Sequence, residues 1–264
     1  MPLPYTSALV TGASSGIGAA MARLLAGAGV DLVLVARSTG KLDQLAAELT
    51  SRHGVEVEVL PADLSDAREL ARVEARLGDP SRPLDLLVNN AAASTFGPFA
   101  DIGADESTRL LQLNTVAPMR LTRAALPLMV KRQRGWILLV SSLGALQPAP
   151  LFAVYTATKA FLTNFGESLH EELRDKSVVV TVAMPGFTRT EMGSATGVGE
   201  TGASALLWDT PENVARAALT ACAYGRATVV PGALNSALST ATRLTPRTLV
   251  RRLAGIATGR MKSA

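Results

Sequence analysis

The sequence predicts an α/β fold, a single domain over 1–264 in which a doubly wound, seven-stranded parallel sheet is covered by helices on both faces. Three observations predict it. Short apolar, β-branched runs alternate with longer segments of helical period, the pattern of a parallel sheet buried on both sides. The composition, 48% hydrophobic and 18% charged over 264 residues, is enough for one large core. A glycine-rich stretch, TGASSGIG at Thr11–Gly18, follows directly on the first apolar run, Ala8-Leu9-Val10.

The first expected strand is Ser7–Val10, and the turn behind it leads into a helix over Ile17–Ala28. Gly12, Gly16 and Gly18 allow a tight turn and bring backbone N–H groups toward a pyrophosphate at the helix N-terminus. Ser14, Ser15 and Ile17 complete that cradle, with small residues keeping the approach open. An ordinary flexible strand-to-helix turn is the competing reading. The spacing G-x-x-x-G-x-G also differs from the usual dinucleotide fingerprint G-x-G-x-x-G.

The second strand, Asp31–Ala36, ends on Arg37 and not on the acid that holds a ribose hydroxyl in NAD-binding sheets. A guanidinium there can grip a 2′-phosphate through charge-assisted bonds, which selects NADP(H); a solvated arginine opening a loop is the alternative. A helix over Lys41–Arg52 and a strand over Val55–Leu60 follow. Asp63 then stands where its carboxylate can meet an adenine amino group, although Asp63 to Asp66 can equally be caps of the helix Asp66–Leu77.

The fourth strand, Leu84–Asn89, delivers Asn89 and Asn90, whose amides can tie loop backbone to the cofactor pocket. Within the long helix expected over Glu106–Arg132, Asn114 is disfavoured by propensity, so it has either a special role or a solvent-facing position. The fifth strand, Gly135–Ser141, ends beside Ser142, which can bond a substrate oxygen; Ser141 competes for that role.

The helix Tyr155–Leu173 opens on Tyr155 and Lys159, spaced i, i+4 on one face. Moving a tyrosine pKa from ~10 to ~7 takes about 4 kcal/mol. A lysine charge ~4 Å away in an effective dielectric of ~20 supplies about that much. Tyr155 can then exchange a proton with a carbonyl or an alcohol near neutrality.

The sixth strand, Ser177–Ala183, precedes a weakly periodic, Gly/Ser/Thr-rich region, 188–210, expected to be a substrate lid. Pro211–Tyr224 is a further helix and Ala227–Val230 the seventh strand. Residues 233–264 read as a basic C-terminal extension of two amphipathic helices split at Pro246. Leu234, Leu238, Ala241 and Leu244, then Leu249, Leu253 and Ile256, form its apolar stripe. Two roles are open for that stripe: closing the substrate pocket or an oligomer interface, or lying on an anionic membrane surface.

These motifs together resemble the short-chain dehydrogenase/reductase family over essentially the whole chain. The resemblance rests on T-G-x-x-x-G-x-G at Thr11–Gly18, Asp63-Leu64, Asn89-Asn90-Ala91, Asn114, Ser142, Tyr155-x-x-x-Lys159 and Pro185-Gly186. It implies a Rossmann-like fold and accounts for the glycine spacing. It further implies that Tyr155 is the general acid in reduction and the base in oxidation. Lys159 then lowers the Tyr155 pKa and holds the nicotinamide ribose, Ser142 orients the substrate oxygen, and Asn114 holds a proton-relaying water. Arg37, Asp63, Leu64 and Asn90 join the glycine loop in the cofactor site, and Pro185, Gly186, Thr188 and Thr190 flank the nicotinamide and phosphates. Two positions depart from the family pattern: Ala92 replaces a glycine, and Leu139 stands where asparagine is common.

The expected activity is hydride transfer between NADP(H) and a carbonyl or secondary alcohol, with an apolar pocket of Leu143, Leu146, Leu151, Phe152, Phe187 and Met192 favouring a hydrophobic substrate. A catalytically silent NADP(H)-binding scaffold is the alternative. An epimerase is disfavoured because only 78 residues follow Gly186. No metal site is expected, since neither His53 nor His170 has ligands at metal spacing. Cys222, the single cysteine, favours a reducing, cytoplasmic setting. The last 52 residues hold eight of the 26 bases and none of the 22 acids, which leaves peripheral membrane contact open. They lack the aromatic residues of a nucleic-acid platform after Tyr224. The stripe Phe161, Phe165, Leu169 is core, and by the family resemblance it packs in a homodimer or homotetramer.

Overall fold

The computed structural model describes residues 3–194 and 208–261. The first half of the chain runs β1 (Ser7–Thr11), α1 (Gly16–Ala26), β2 (Asp31–Ala36), α2 (Thr39–His53), β3 (Val57–Pro61), α3 (Ala67–Leu77) and β4 (Leu86–Asn89). The second half runs α4 (Ala104–Leu111), α5 (Ala117–Arg132), β5 (Gly135–Val140), α6 (Ala153–Glu172), β6 (Val178–Ala183), β7 (Phe187–Thr188), α7 (Glu191–Ser194), β8 (Trp208–Asp209), α8 (Pro211–Ala223), β9 (Thr228–Val229), α9 (Ala233–Leu244) and α10 (Arg247–Met261).

Seven of the described strands form one parallel sheet in the order β3-β2-β1-β4-β5-β6-β9. The chain winds outward from β1 to β3, then returns to place β4 on the other side of β1, with Leu9 opposite both Val33 and Leu87. That reversal opens a crevice at the carboxyl ends of β1 and β4, where ligands of such sheets bind.

Strand alternation divides the core. Ala8, Val10, Leu32, Leu34, Leu86 and Val88 pack beneath α1, α2 and α8, while Leu9, Val33, Val35, Leu87, Ile137 and Leu139 pack against α3 and α5 on the opposite face. Each of these valines, leucines and isoleucines contributes about 1.5–3 kcal/mol by leaving water. Gly166 sets the approach of α6 to the sheet, because a Cβ there would run into Val182 and stand 2.7 Å from Leu139 Cδ1. Leu139, one of the two departures from the family pattern, thus packs directly against the helix that carries Tyr155 and Lys159.

Most boundaries differ from the expected ones by one or two residues, as chain ends do. One difference is larger. The helix expected over Glu106–Arg132 starts at Ala104 and is interrupted by a π-helical turn at Gln112–Val116, so α4 and α5 flank a wider turn. Of the lid expected over 188–210, residues 195–207 lie outside the described residues. Its two flanks meet in a parallel pair that the sequence did not announce, Phe187 opposite Trp208 and Thr188 opposite Asp209.

Candidate active site

The turn after β1 is organised by Thr11, whose hydroxyl donates to the Val88 carbonyl (3.1 Å) and accepts from the N–H groups of Asn90 (2.9 Å) and Ala91 (3.0 Å). Asn90 answers by donating from Nδ2 to the Thr11 carbonyl at 2.9 Å. Gly12 and Gly16 have φ of 65° and 53°, which favours glycine. At Gly18 a Cβ would run into the Gly12 carbonyl and stand 2.6 Å from Asn90 Nδ2. Ser15 makes no side-chain cap to α1, so the first N–H groups of that helix face the turn without an internal partner. A turn of glycines and small residues beneath open helix amides suits a pyrophosphate, so the residues present fit a dinucleotide.

Arg37 and Ser38 lie exposed past the end of β2, at the N-terminus of α2. Lys41, in the first turn of α2, ion-pairs Glu191 of α7 at 3.6 Å. Lys41 was not among the expected cofactor residues; its place four residues after Arg37 was the available signal. Asp63 does not cap α3. That cap is Asp66, which accepts from the N–H groups of Arg68 and Glu69. Asp63 instead accepts from both the hydroxyl and the N–H of Ser65 (2.6 and 2.9 Å) and pairs with Arg109 of α4 at 2.8 Å. Burial raises its pKa, and the Ser65 and Arg109 contacts outweigh that and leave it lowered. Leu64 beside it is buried.

Ser141 and Ser142 part company at the end of β5. The buried Ser141 hydroxyl donates to the Lys159 carbonyl at 2.8 Å and lies 2.8 Å from Thr163 Oγ1, which fastens α6 to the sheet. Ser142 Oγ faces the site, accepting from Gly144 N–H at 3.1 Å and bonding the Tyr155 side chain. Of the two, Ser142 is therefore the one beside Tyr155.

Lys159 is 2% exposed and donates from Nζ to the Val140 carbonyl at 2.8 Å, with Nζ 5.8 Å from the centre of the Tyr155 ring. Burial lowers its pKa to about 8. Burial also raises the Tyr155 pKa, and the Ser142 bond offsets part of the rise. Against the expectation that Lys159 lowers it, the Tyr155 pKa is thus raised. The ammonium is held by a strand carbonyl, and desolvation of the phenol dominates.

Asn114 is buried on the π turn, which resolves its poor helix propensity. Its Oδ1 accepts from Ala93 N–H (3.0 Å), and its Nδ2 donates to the Ala93 carbonyl (2.9 Å) and Thr158 Oγ1 (3.1 Å). Widened helical turns of this kind gather at functional sites. Here the turn lets one carboxamide join the segment after β4 to α6.

An aromatic run leads outward from Tyr155. Phe152 lies 6.4 Å from it, and Phe96 lies 4.9 Å beyond Phe152, ring centre to ring centre. Phe96 was not among the expected pocket residues; it sits between unpatterned loop residues, where no periodicity flags it. Phe187 stacks on Trp208 at 5.4 Å, while Met192 is exposed.

The Pro185 carbonyl accepts from Leu143 N–H at 2.9 Å, which joins the Pro185–Gly186 turn to the segment holding Ser142. Thr188 donates to the Gly186 carbonyl at 3.2 Å, and Thr190 lies over the glycine loop, its Cγ2 2.9 Å from where a Gly16 Cβ would stand. Asn235 of α9 occupies the space beside Gly186, its Nδ2 2.6 Å from the position of a Cβ there. The C-terminal extension therefore reaches the site with a polar side chain. Leu234, Leu238 and Leu244 are exposed, and the α9 side chain beside Gly186 is Asn235, not one of these leucines. The side chains of Leu253 and Ile256 lie outside the described ones.

A family model described as short chain dehydrogenase matches residues 6–200. The chain is 38% identical over 189 residues to a very-long-chain 3-oxoacyl-CoA reductase of Anas platyrhynchos, a match covering 70% of this chain and 60% of that relative. The chain thus spans less than two thirds of the curated relatives' length. Among solved structures it is similar to a short-chain dehydrogenase from Sphingobium yanoikuyae in complex with NADPH, with 35% identity, a TM-score of 0.82, and coverage of 98% of this chain and 96% of that one. It is also similar to the bulky-bulky ketone specific alcohol dehydrogenase from Comamonas testosteroni, with 30% identity, a TM-score of 0.78 and coverage of 94% and 96%.

Proposed function

The chain belongs to the short-chain dehydrogenase family, and from that premise we propose that it reduces a bulky hydrophobic ketone with NADPH and oxidises the corresponding secondary alcohol. It is an oxidoreductase acting on CH–OH and carbonyl groups, and its cofactor is NADP(H). The observation that carries the substrate class is the aromatic run Phe96–Phe152–Tyr155, which leads from the phenol that bonds Ser142 to a half-exposed ring. It offers an apolar body a surface and offers no fixed charge to a polar one.

NADPH bound at the glycine loop supplies the hydride. Tyr155 and Ser142 receive the substrate oxygen between their hydroxyls, and Tyr155 gives up its proton as negative charge develops there. Lys159, protonated below about pH 8 and held by the Val140 carbonyl, keeps its ammonium 5.8 Å from the centre of the Tyr155 ring, the nearest cation to the charge that develops as the phenol gives up its proton. Asn114 and Ser141 hold the elements from which these groups project. Arg37 and Lys41, at the end of β2 and the start of α2, are the cations that would hold a 2′-phosphate, with β2 ending on Arg37 in place of an acid and Lys41 paired to Glu191.

The protein works as a homo-oligomer, on the same reading. Leu111, Met119 and Phe161 leave large apolar side chains exposed on α4, α5 and α6, which corrects the core reading of the Phe161 stripe at its first residue, and a second copy is the partner that covers them.

The test is NADPH oxidation over a panel running from small aliphatic ketones through diaryl and long-chain ketones to 3-oxoacyl thioesters. Turnover should rise with apolar bulk on both sides of the carbonyl. A preference for small or charged carbonyls would overturn the substrate assignment, and tight NADPH binding without turnover anywhere on the panel would overturn the activity.

A further inference from the structure

Helix α9 buries polar side chains and exposes its leucines. Asn235 and Ser239 are 5% and 7% exposed and turned toward the body of the protein, where α9 packs on the turn Leu143–Leu146 behind Ser142. Leu234 and Leu238 are 48% and 47% exposed and Leu244 is 82% exposed, and the rest of the outer face holds Ala237 and Ala241 with the small hydroxyl residues Ser236 and Thr240. A helix on a soluble protein normally shows the opposite arrangement. Beyond Pro246, α10 buries Val250 and exposes Leu249 with Arg247, Arg251 and Arg252.

We propose that this face docks on an anionic lipid surface, with the leucines in the acyl boundary and the arginines among the headgroups. Charge decides between the possible occupants. The last 52 residues carry eight bases and no acid. A second copy meeting this face through its own tail would bring like charge to like charge, whereas anionic headgroups complement it. No helix among the described residues is long and apolar enough to cross a membrane, so the association is one of lying on the surface. Because the inner side of α9 touches Gly186 and the Ser142 turn, docking brings the site to the source of lipophilic substrates. Vesicle binding requires no turnover, so this inference stands or falls apart from the proposed activity.

The experiment is sedimentation of the full chain, with NADPH present, on vesicles of phosphatidylcholine alone and of phosphatidylcholine with phosphatidylserine. Binding is expected only to the latter. It should weaken at ~1 M salt, where the screening length falls to ~3 Å. The combined variant Arg247→Ala, Arg251→Ala, Arg252→Ala should lose about fivefold in partitioning per arginine, on the order of a hundredfold in all. Leu238→Gln with Leu244→Gln should release the protein while its ketone turnover in solution persists. Wild-type protein left in the supernatant with both vesicle types overturns the proposal. So does a leucine variant whose mass by analytical ultracentrifugation falls while vesicle binding is unchanged, since the face would then join two copies.

Discussion

Replacing Lys159 by methionine should make the apoprotein's stability less dependent on alkaline pH. Lys159 is 2% exposed, and burial moves its pKa from the ordinary 10.5 to about 8. Between those values the unfolded chain holds a proton that the folded chain has released, so stability rises with pH across that window. The penalty is fully present below about 8. A depression of roughly 2.5 units at 1.36 kcal/mol per unit amounts to about 3 kcal/mol. Lys159→Met removes the titration, but it also strips the Val140 carbonyl of a donor, a pH-independent cost of about 1–3 kcal/mol. The diagnostic quantity is therefore the slope. From about pH 7 to about pH 10 the wild type should gain about 2–3 kcal/mol on the variant, because every other titrating group is common to both. Urea denaturation of the two cofactor-free proteins across that range measures it. A difference in unfolding free energy that stays constant with pH would refute the claim that Lys159 is held at a depressed pKa.

The site makes two further predictions. Tyr155→Phe should lower kcat by ~100-fold or more, the span that general acid catalysis supplies, with NADPH affinity retained; steady-state kinetics on the best ketone decides it, and near-normal turnover would remove Tyr155 from its role. Arg37→Ala should raise KM for NADPH by about 10- to 100-fold, the worth of a hydrogen bond to a charged group, and leave KM for NADH nearly unchanged; equal effects on the two cofactors would detach Arg37 from the 2′-phosphate.

The sheet was legible because each strand is a short β-branched run between helices of regular period. Positions along a motif were legible for the same reason, since Tyr155 and Lys159 are set by one helix and Gly12, Gly16 and Gly18 by one turn. What was hidden depends on groups far apart in sequence. Whether Ser141 or Ser142 faces the site follows from the 2.8 Å bond of Ser141 to the Lys159 carbonyl, eighteen residues on. Asp63 read as an adenine contact or a helix cap, and only the packing of α4 supplies Arg109. The inversion of α9 was invisible because an amphipathic pattern does not say which side meets the body, and a buried Asn235 against Gly186 reverses the usual assignment.

The buried hydroxyl of Ser141 stitches the end of β5 to α6 through Lys159 and Thr163. The proton donor and its orienting serine are thereby fixed to one rigid seam, while Phe96 and Phe152 hang from irregular backbone outside it. Evolution can therefore exchange the walls of the pocket freely without retuning the reaction. Enzymes built on this seam should diverge in what they accept long before they diverge in what they do to it.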